Sequence, residues 1–348
     1  MWAGVPTLEA MHFVIYGAGA IGGVVGGHLF RAGIPTTVIA RGDHLAAIRE
    51  RGLTLDLAEG AETLAVPAAA NASEVEWTDD TVVFICVKSQ QTAAVLNDLQ
   101  AHAPRNTPIV SAQNGVANET AILRRFPRTY SICVMLPALH LEPGVVVQGS
   151  SAAPGILDVG RFPGGTDGGI SGGIDDGMDD TAEEISRNLR AAGFQSQPRA
   201  DIMAWKYRKL VLNLGNGIDA SYRRDGDAIG ELMRRARAEG ETVLEAAGID
   251  VVSDAVDKER RGNHIVRRDT GEDSNGSSTW QSVTRGARDS EIDYLTGEIV
   301  LQGRLHGVPT PVNELIQDDT ARLVIEGREP GSLDPADALE RLNGRLAD

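Results

Sequence analysis

An α/β domain built on a parallel sheet, followed by an all-α domain, is the fold class the sequence predicts. Three observations carry it. A short apolar run ending at Tyr16 breaks into GAGAIG, with glycines at 17, 19 and 22. Apolar strand-like runs then alternate with helical spacings through the first half of the chain. Beyond Arg199 strand signals become scarce and long helical stripes take over. With 348 residues, 42% of them hydrophobic, the chain can fill two ordinary cores. The predicted division is 12–199 for the α/β domain and 200–328 for the helical domain, with extensions at 1–11 and 329–348.

The glycines sit where a Rossmann-type dinucleotide site needs them. Phe13, Val14 and Ile15 precede them as a strand, and Ile21, Val24, Val25, His28 and Leu29 follow at helical spacing. Glycines so spaced let the chain turn tightly, approach a pyrophosphate and pack the next helix close to the sheet. The free N–H groups and dipole of that helix favour a bound anion. Gly17, Ala18, Gly19, Ala20, Ile21 and Gly22 are therefore candidate cofactor-binding residues; a plain tight turn is the alternative.

Gly33 and Pro35 close the first helix, and Thr36 to Ala40 reads as the second strand. An acidic residue commonly ends this strand in NAD-binding units, but Ala40 and Arg41 stand here. Arg41 can pair with a 2′-phosphate, which favours NADPH; a solvated surface arginine is the alternative. Thr81 to Val87 is a continuous apolar run, as for a central parallel strand covered on both faces. Its carboxyl end carries Lys88, where ligands of open α/β sheets bind; a lysine ending a strand in solvent is the alternative. The strand 108–112 leads into Gln113, Asn114 and Gly115, so Asn114 is either a ligand contact or half of a turn pair. Strand-like pieces at 131–139, 144–148 and 155–159, with no helices between them, suggest an antiparallel extension of the sheet. The Gly- and Asp-rich stretch 164–180 reads as a loop without EF-hand spacing, so no metal site is expected there or elsewhere. A helix over 181–192 and a short strand near 194–198 complete the domain.

In the second half, helices are predicted at 201–216 and 228–247, and near 276–285, 289–305 and 312–326, with 330–348 a polar, charged tail. Lys209, Asn213 and Asn216 fall at i, i+4 and i+7 and share one helical face at the margin of apolar neighbours. A lysine partly desolvated there has a depressed pKa suited to giving a proton to a carbonyl oxygen. A lysine snorkelling to solvent is the alternative. Glu291 near a helix start is by itself a first-turn acid.

Bulk properties exclude several classes. A net charge of −16 without a basic stripe argues against nucleic acid, yet a few local cations can still hold a small anion. Cys86 and Cys133 lie in apolar runs and read as buried thiols of a reducing cytosol, not as a disulfide or metal pair. No apolar run approaches the roughly 18 residues of a membrane span. Residues 1–11 lack the basic start and apolar stretch of a secretory signal. A cytoplasmic location with no membrane partner is therefore expected.

Taken together, GAGAIG, ARGDHL at 40–45, VKSQQT at 87–92, QNGV at 113–116, WKYRKLVLNLGN at 205–216, SEIDYLTGEIV at 290–300 and HGVPTPVNELI at 306–316 resemble the 2-dehydropantoate 2-reductase (ketopantoate reductase) family. The resemblance covers residues 12 to about 328. It implies a cleft between the two domains, hydride transfer from NADPH to the C2 ketone of ketopantoate, giving pantoate, and a homodimer. Carried over, Lys209 is the general acid, and Glu291 binds the substrate hydroxyl and helps hold that lysine. Asn114, Asn213, Asn216 and Ser278 position substrate, while the glycine turn, Arg41, Lys88 and Asn114 serve NADPH. Four places depart from the pattern, one of them an extra residue between Gln281 and Glu291. Tyr207 stands for the usual tryptophan, leaving Lys206 as a rival to Lys209; Gly217 occupies the usual second asparagine position; and 261–276 has no counterpart. A reductase of another 2-oxo acid and a non-catalytic NADP(H)-binding sensor are the competing readings.

Overall fold

A computed structural model describes residues 11–164, 179–224, 226–270, 276–287 and 289–347. In chain order, the first part comprises β1 (His12–Tyr16), α1 (Ala20–Arg31), β2 (Thr36–Ile39), α2 (Gly42–Arg51), β3 (Leu53–Leu57), β4 (Gly60–Leu64), β5 (Ala68–Ala69), β6 (Thr81–Ile85), α3 (Thr92–His102), β7 (Ile109–Ser111), α4 (Asn118–Leu123), β8 (Thr129–Met135), β9 (Ala138–Glu142), β10 (Val145–Gln148), β11 (Ile156–Phe162) and α5 (Asp180–Ala191). The remainder is helical: α6 (Ile202–Asn213), α7 (Gly215–Ser221), α8 (Gly226–Ala246), α9 (Asp254–Arg261), α10 (Ser278–Thr284), α11 (Thr296–His306), α12 (Pro311–Glu326) and α13 (Pro335–Ala347).

The main sheet has the order β11-β8-β7-β6-β1-β2-β5, parallel throughout except for β11, which runs antiparallel to β8. Its central strands are apolar on both faces because helices cover both sides: all five residues of β6 are buried. The chain leaves β1 towards β2 on one side, while β6 joins β1 from the other, so the strand order reverses beside β1. That reversal opens a crevice at the carboxyl ends of β1 and β6. A four-stranded sheet, β4-β3-β10-β9, lies over α1.

Several expectations need correction. The run 131–139 is two strands that part at Leu136 and Pro137: β8 continues the parallel sheet, and β9 pairs with β10 in the second sheet. Only β11 supplies the expected antiparallel extension. The predicted strand at 194–198 makes only isolated bridges, Gln195 to Ile156 and Pro198 to Val159. The helix predicted over 201–216 breaks after Asn213 and resumes as α7. The segment read as a polar tail forms α13. Its Ala338 and Leu342, four residues apart, are fully buried against the helical core, and the Asp334 carboxylate accepts from Ala336 N at 2.9 Å at its start. The Gly- and Asp-rich stretch falls at 165–178 outside the described residues.

Candidate active site

The turn after β1 is held by two amides: Gly17 N and Ala18 N both donate to Ile39 O of β2, at 3.0 and 3.1 Å. Gly17 adopts φ +102°, and a Cβ on Gly22 would lie 2.0 Å from Gly17 O and 2.9 Å from Cys86 Cβ. The first turn of α1 is thus pressed against the end of β6 as only glycine allows. Gly22→Ala should therefore displace the turn and weaken dinucleotide binding at least tenfold by titration, with the sheet intact by circular dichroism; unchanged affinity would remove the role given to this close approach.

This turn forms one wall of a cleft of about 850 Å³ that runs between the sheet and the helices. Gly17, Gly19, Ala20, Ile21, Lys88 and Asn114 line it from the sheet side, and Lys209, Asn213, Asn216, Ser278 and Glu291 from the helical side. Arg41 is not among the lining residues; it is an exposed residue preceding α2, two positions after Ile39.

α6 presents its two lysines differently. Lys206 is 3% exposed, pairs with Glu119 of α4, and donates to Gln113 O at 3.1 Å. Glu119 is fully buried and also accepts from Ser131 Oγ at 2.6 Å. Three residues on, Lys209 opens to the cleft, with no hydrogen bond or ion pair recorded for it among the described residues. Burial among protein atoms holds its pKa below the ordinary lysine range. Arg261 and Arg267 push it further down, while Cys133 and Asp257 pull it back. Beside it, Asn213 is 6% exposed and its Nδ2 has no partner, so the cleft contains a buried donor awaiting an acceptor.

Glu291, also on the helical side, makes no hydrogen bond or ion pair with Lys209 and turns towards the sheet side instead. One of its carboxylate oxygens accepts from Ser89 N at 3.0 Å and Ser89 Oγ at 3.1 Å. Asn118 Nδ2 donates to the same Ser89 Oγ at 3.0 Å, and Thr92 Oγ1 donates to Asn118 Oδ1 at 2.8 Å. Lys88 Nζ reaches over to Ser282 Oγ of α10 at 2.9 Å. The Gln113–Val116 turn abuts the helical part so closely that a Cβ on Gly115 (φ +77°) would lie 2.7 Å from Tyr294 O. Asn216 Nδ2 approaches Ser278 Oγ at 3.5 Å.

Several lining residues were not singled out from the sequence. Gln90 has both amide atoms buried without partners. Arg261, Arg267, Arg268 and Arg285 give the cleft a cationic side. The signal available for the first three was the RRGNHIVRR stretch at 260–268, a local basic cluster in a chain of net charge −16. The two cysteines are free; burial pushes the Cys86 thiol up to about 12 and the Cys133 thiol to about 11, so neither is poised as a nucleophile. No cluster of three or more metal-ligating side chains occurs among the described residues, nor is any of their helices long and apolar enough to cross a membrane.

Family models described as "Ketopantoate reductase PanE/ApbA" and its C-terminal domain match residues 13–164 and 201–321. The chain belongs to the ketopantoate reductase family. It shares 28% identity over 307 residues with a 2-dehydropantoate 2-reductase of Pyrococcus horikoshii, covering 88% of this chain and 95% of that one. A crystal structure of a PanE/ApbA family ketopantoate reductase from Ralstonia eutropha JMP134 superposes with a TM-score of 0.73 at 27% identity, covering 91% and 99% of the two chains. A D-mandelate dehydrogenase solved with NADH and anilino(oxo)acetate shares the fold, with a TM-score of 0.75, 22% identity and coverage of 91% and 99%. As a member of the ketopantoate reductase family the chain is an oxidoreductase, with the mixed α/β and helical architecture of its relatives.

Proposed function

We propose that this oxidoreductase uses NADPH to reduce the C2 ketone of 2-dehydropantoate, with Lys209 as the proton donor. The observation that carries this reading is the convergence, in one cleft, of the β1–α1 glycine turn, a lysine of lowered proton affinity and the unpartnered Asn213 amide.

The residues of the turn fit a dinucleotide. α1 starts at Gly19 with no side-chain cap and no acid in its first turn, and a Cβ at Gly19 would meet nothing within 4 Å. Gly19, Ala20 and Ile21 line the cleft, so the start of α1 is open to an approaching pyrophosphate. When bound, the cofactor supplies the hydride.

The chain's own residues supply the rest. Lys209 Nζ gives a proton to the oxygen that becomes the alcohol, and Asn213 Nδ2 donates a hydrogen bond that fixes that end of the substrate. Asn114, Asn216 and Ser278 orient the substrate from the two walls. The Glu291 carboxylate, held by Ser89, accepts from the substrate hydroxyl. Lys88 and Arg41 add positive charge for the cofactor phosphates, Arg41 from the end of β2. Replacing Arg41 by alanine should weaken NADPH by about 10- to 100-fold, the worth of a hydrogen bond to a charged group, and leave NADH nearly unaffected. Equal weakening of both would remove the 2′-phosphate role.

A reductase of a different 2-oxo acid is the second reading, favoured by the arginines of 261–268 on the cleft wall. NADPH oxidation measured against a panel of 2-oxo acids separates the two. Highest kcat/KM with 2-dehydropantoate supports the first, and highest kcat/KM with another acid supports the second. Tight NADPH binding without turnover of any acid would leave a sensor instead.

A further inference from the structure

The segment that follows α9 builds part of the cleft. α9 is clamped to the sheet by Arg260, whose guanidinium donates to both oxygens of the buried Asp158 of β11, at 2.9 and 2.6 Å. After α9 the chain crosses to the second sheet: Arg267 bridges antiparallel to Ser150, Ala153 N donates to His264 O at 3.1 Å, and Ser151 N donates to Val266 O at 2.8 Å. Arg268 completes the attachment through Asp56 Oδ1 at 3.1 Å and Gln148 O at 2.7 Å.

Between these two fixed points stands Arg261, the last residue of α9. Its Nε donates to Asp257 Oδ2 at 2.8 Å, but the second leg of the ion pair is not made: Arg261 Nη2 and Asp257 Oδ1 are both buried without partners. A guanidinium matches a carboxylate with two parallel bonds, and here one donor is left over on a residue that lines the cleft. A buried donor of a charged group without an acceptor is costly. Arg261 is also near enough to Lys209 to act on its charge. In a 2-oxo acid the carboxylate carbon is bonded directly to the ketone carbon, so a group holding the carboxylate must neighbour the group that serves the ketone oxygen.

We propose that Arg261 Nη2 holds the C1 carboxylate of the 2-oxo acid, making Arg261 a specificity-determining residue of this chain. The proposal rests on the reductase reading above. Its occupant is the substrate carboxylate and not a cofactor phosphate, since Arg261 acts on the charge of Lys209, the residue that serves the ketone oxygen.

The test is calorimetric binding of 2-dehydropantoate, and of its neutral lactone, to the protein saturated with NADP⁺, which has no hydride to give. Arg261→Gln should weaken the acid by about 10- to 100-fold, abolishing the preference for acid over lactone, with lactone and NADPH affinities unchanged. Equal weakening of acid and lactone, unchanged affinity for the acid, or a loss confined to NADPH would each overturn the assignment. Because Arg261→Gln leaves Asp257 buried and alone, the double variant Asp257→Asn, Arg261→Gln is read in the same way. A wild-type protein that binds and reduces 2-dehydropantoate while Arg261→Gln binds it equally well refutes only the role of Arg261. A wild-type protein that neither binds nor reduces any 2-oxo acid refutes the reductase reading, and this assignment with it.

Discussion

Lys209→Ala should lower kcat by about 10²- to 10⁴-fold, the usual contribution of a positioned general acid, while the dissociation constant for NADPH stays unchanged. The split follows from position: Lys209 lies on the helical wall, opposite the glycine turn. The pH profile carries the same signature. A general acid works only while protonated, and burial holds this lysine below its ordinary range. In the wild type kcat should therefore fall as pH rises through a value below that of a free lysine, and the residual activity of Lys209→Ala should lack this alkaline limb. A normal Lys209→Ala enzyme beside a dead Lys206→Ala enzyme would reverse the assignment.

Lys206→Ala should act through stability instead. The substitution leaves the Glu119 carboxylate fully buried without its cation, and breaking a buried pair by removing one partner costs about 3–5 kcal/mol. The expected result is a urea midpoint lowered accordingly, with the denaturant slope unchanged. Glu119→Ala, which strands the lysine, should cost a similar amount, and the double variant less than the sum of the two. A loss under about 1 kcal/mol would mean that the pair is solvated and does not tie α6 to the sheet.

Much of this architecture was legible in the sequence, for reasons that differ by element. β1 and β6 are continuous apolar runs because helices cover both their faces, and the glycines at 17 and 22 record close approaches that no other residue tolerates. α8 announced itself by an apolar stripe that is buried at Leu232, Ala236, Val243 and Leu244. Strand pairing was less accessible. β9 follows β8 after two residues yet joins a different sheet, because its partner β10 and the neighbouring β3 are chosen by contacts distant in sequence. α13 was hidden by charge: its buried face comes down to a few residues such as Ala338 and Leu342 amid a polar surface. The face of α6 bearing Lys209 and Asn213 was readable from spacing, and its chemistry from resemblance. Lys209, which shares its face with Asn213, was the expected one of the two lysines and lines the cleft, while Lys206 is taken up by Glu119. The loose end on Arg261 is likewise a property of three-dimensional packing.

The helix that carries both lysines has a mechanical consequence. Lys206 rivets it to the parallel sheet through Glu119 and Gln113 O, and a single turn separates that rivet from Lys209. Lys209 belongs to the helical portion by sequence, but its height above the strands is gauged from the sheet. If the outer helices shift as ligands enter or leave, α6 stays with the strands, and the ammonium group keeps its distance from them.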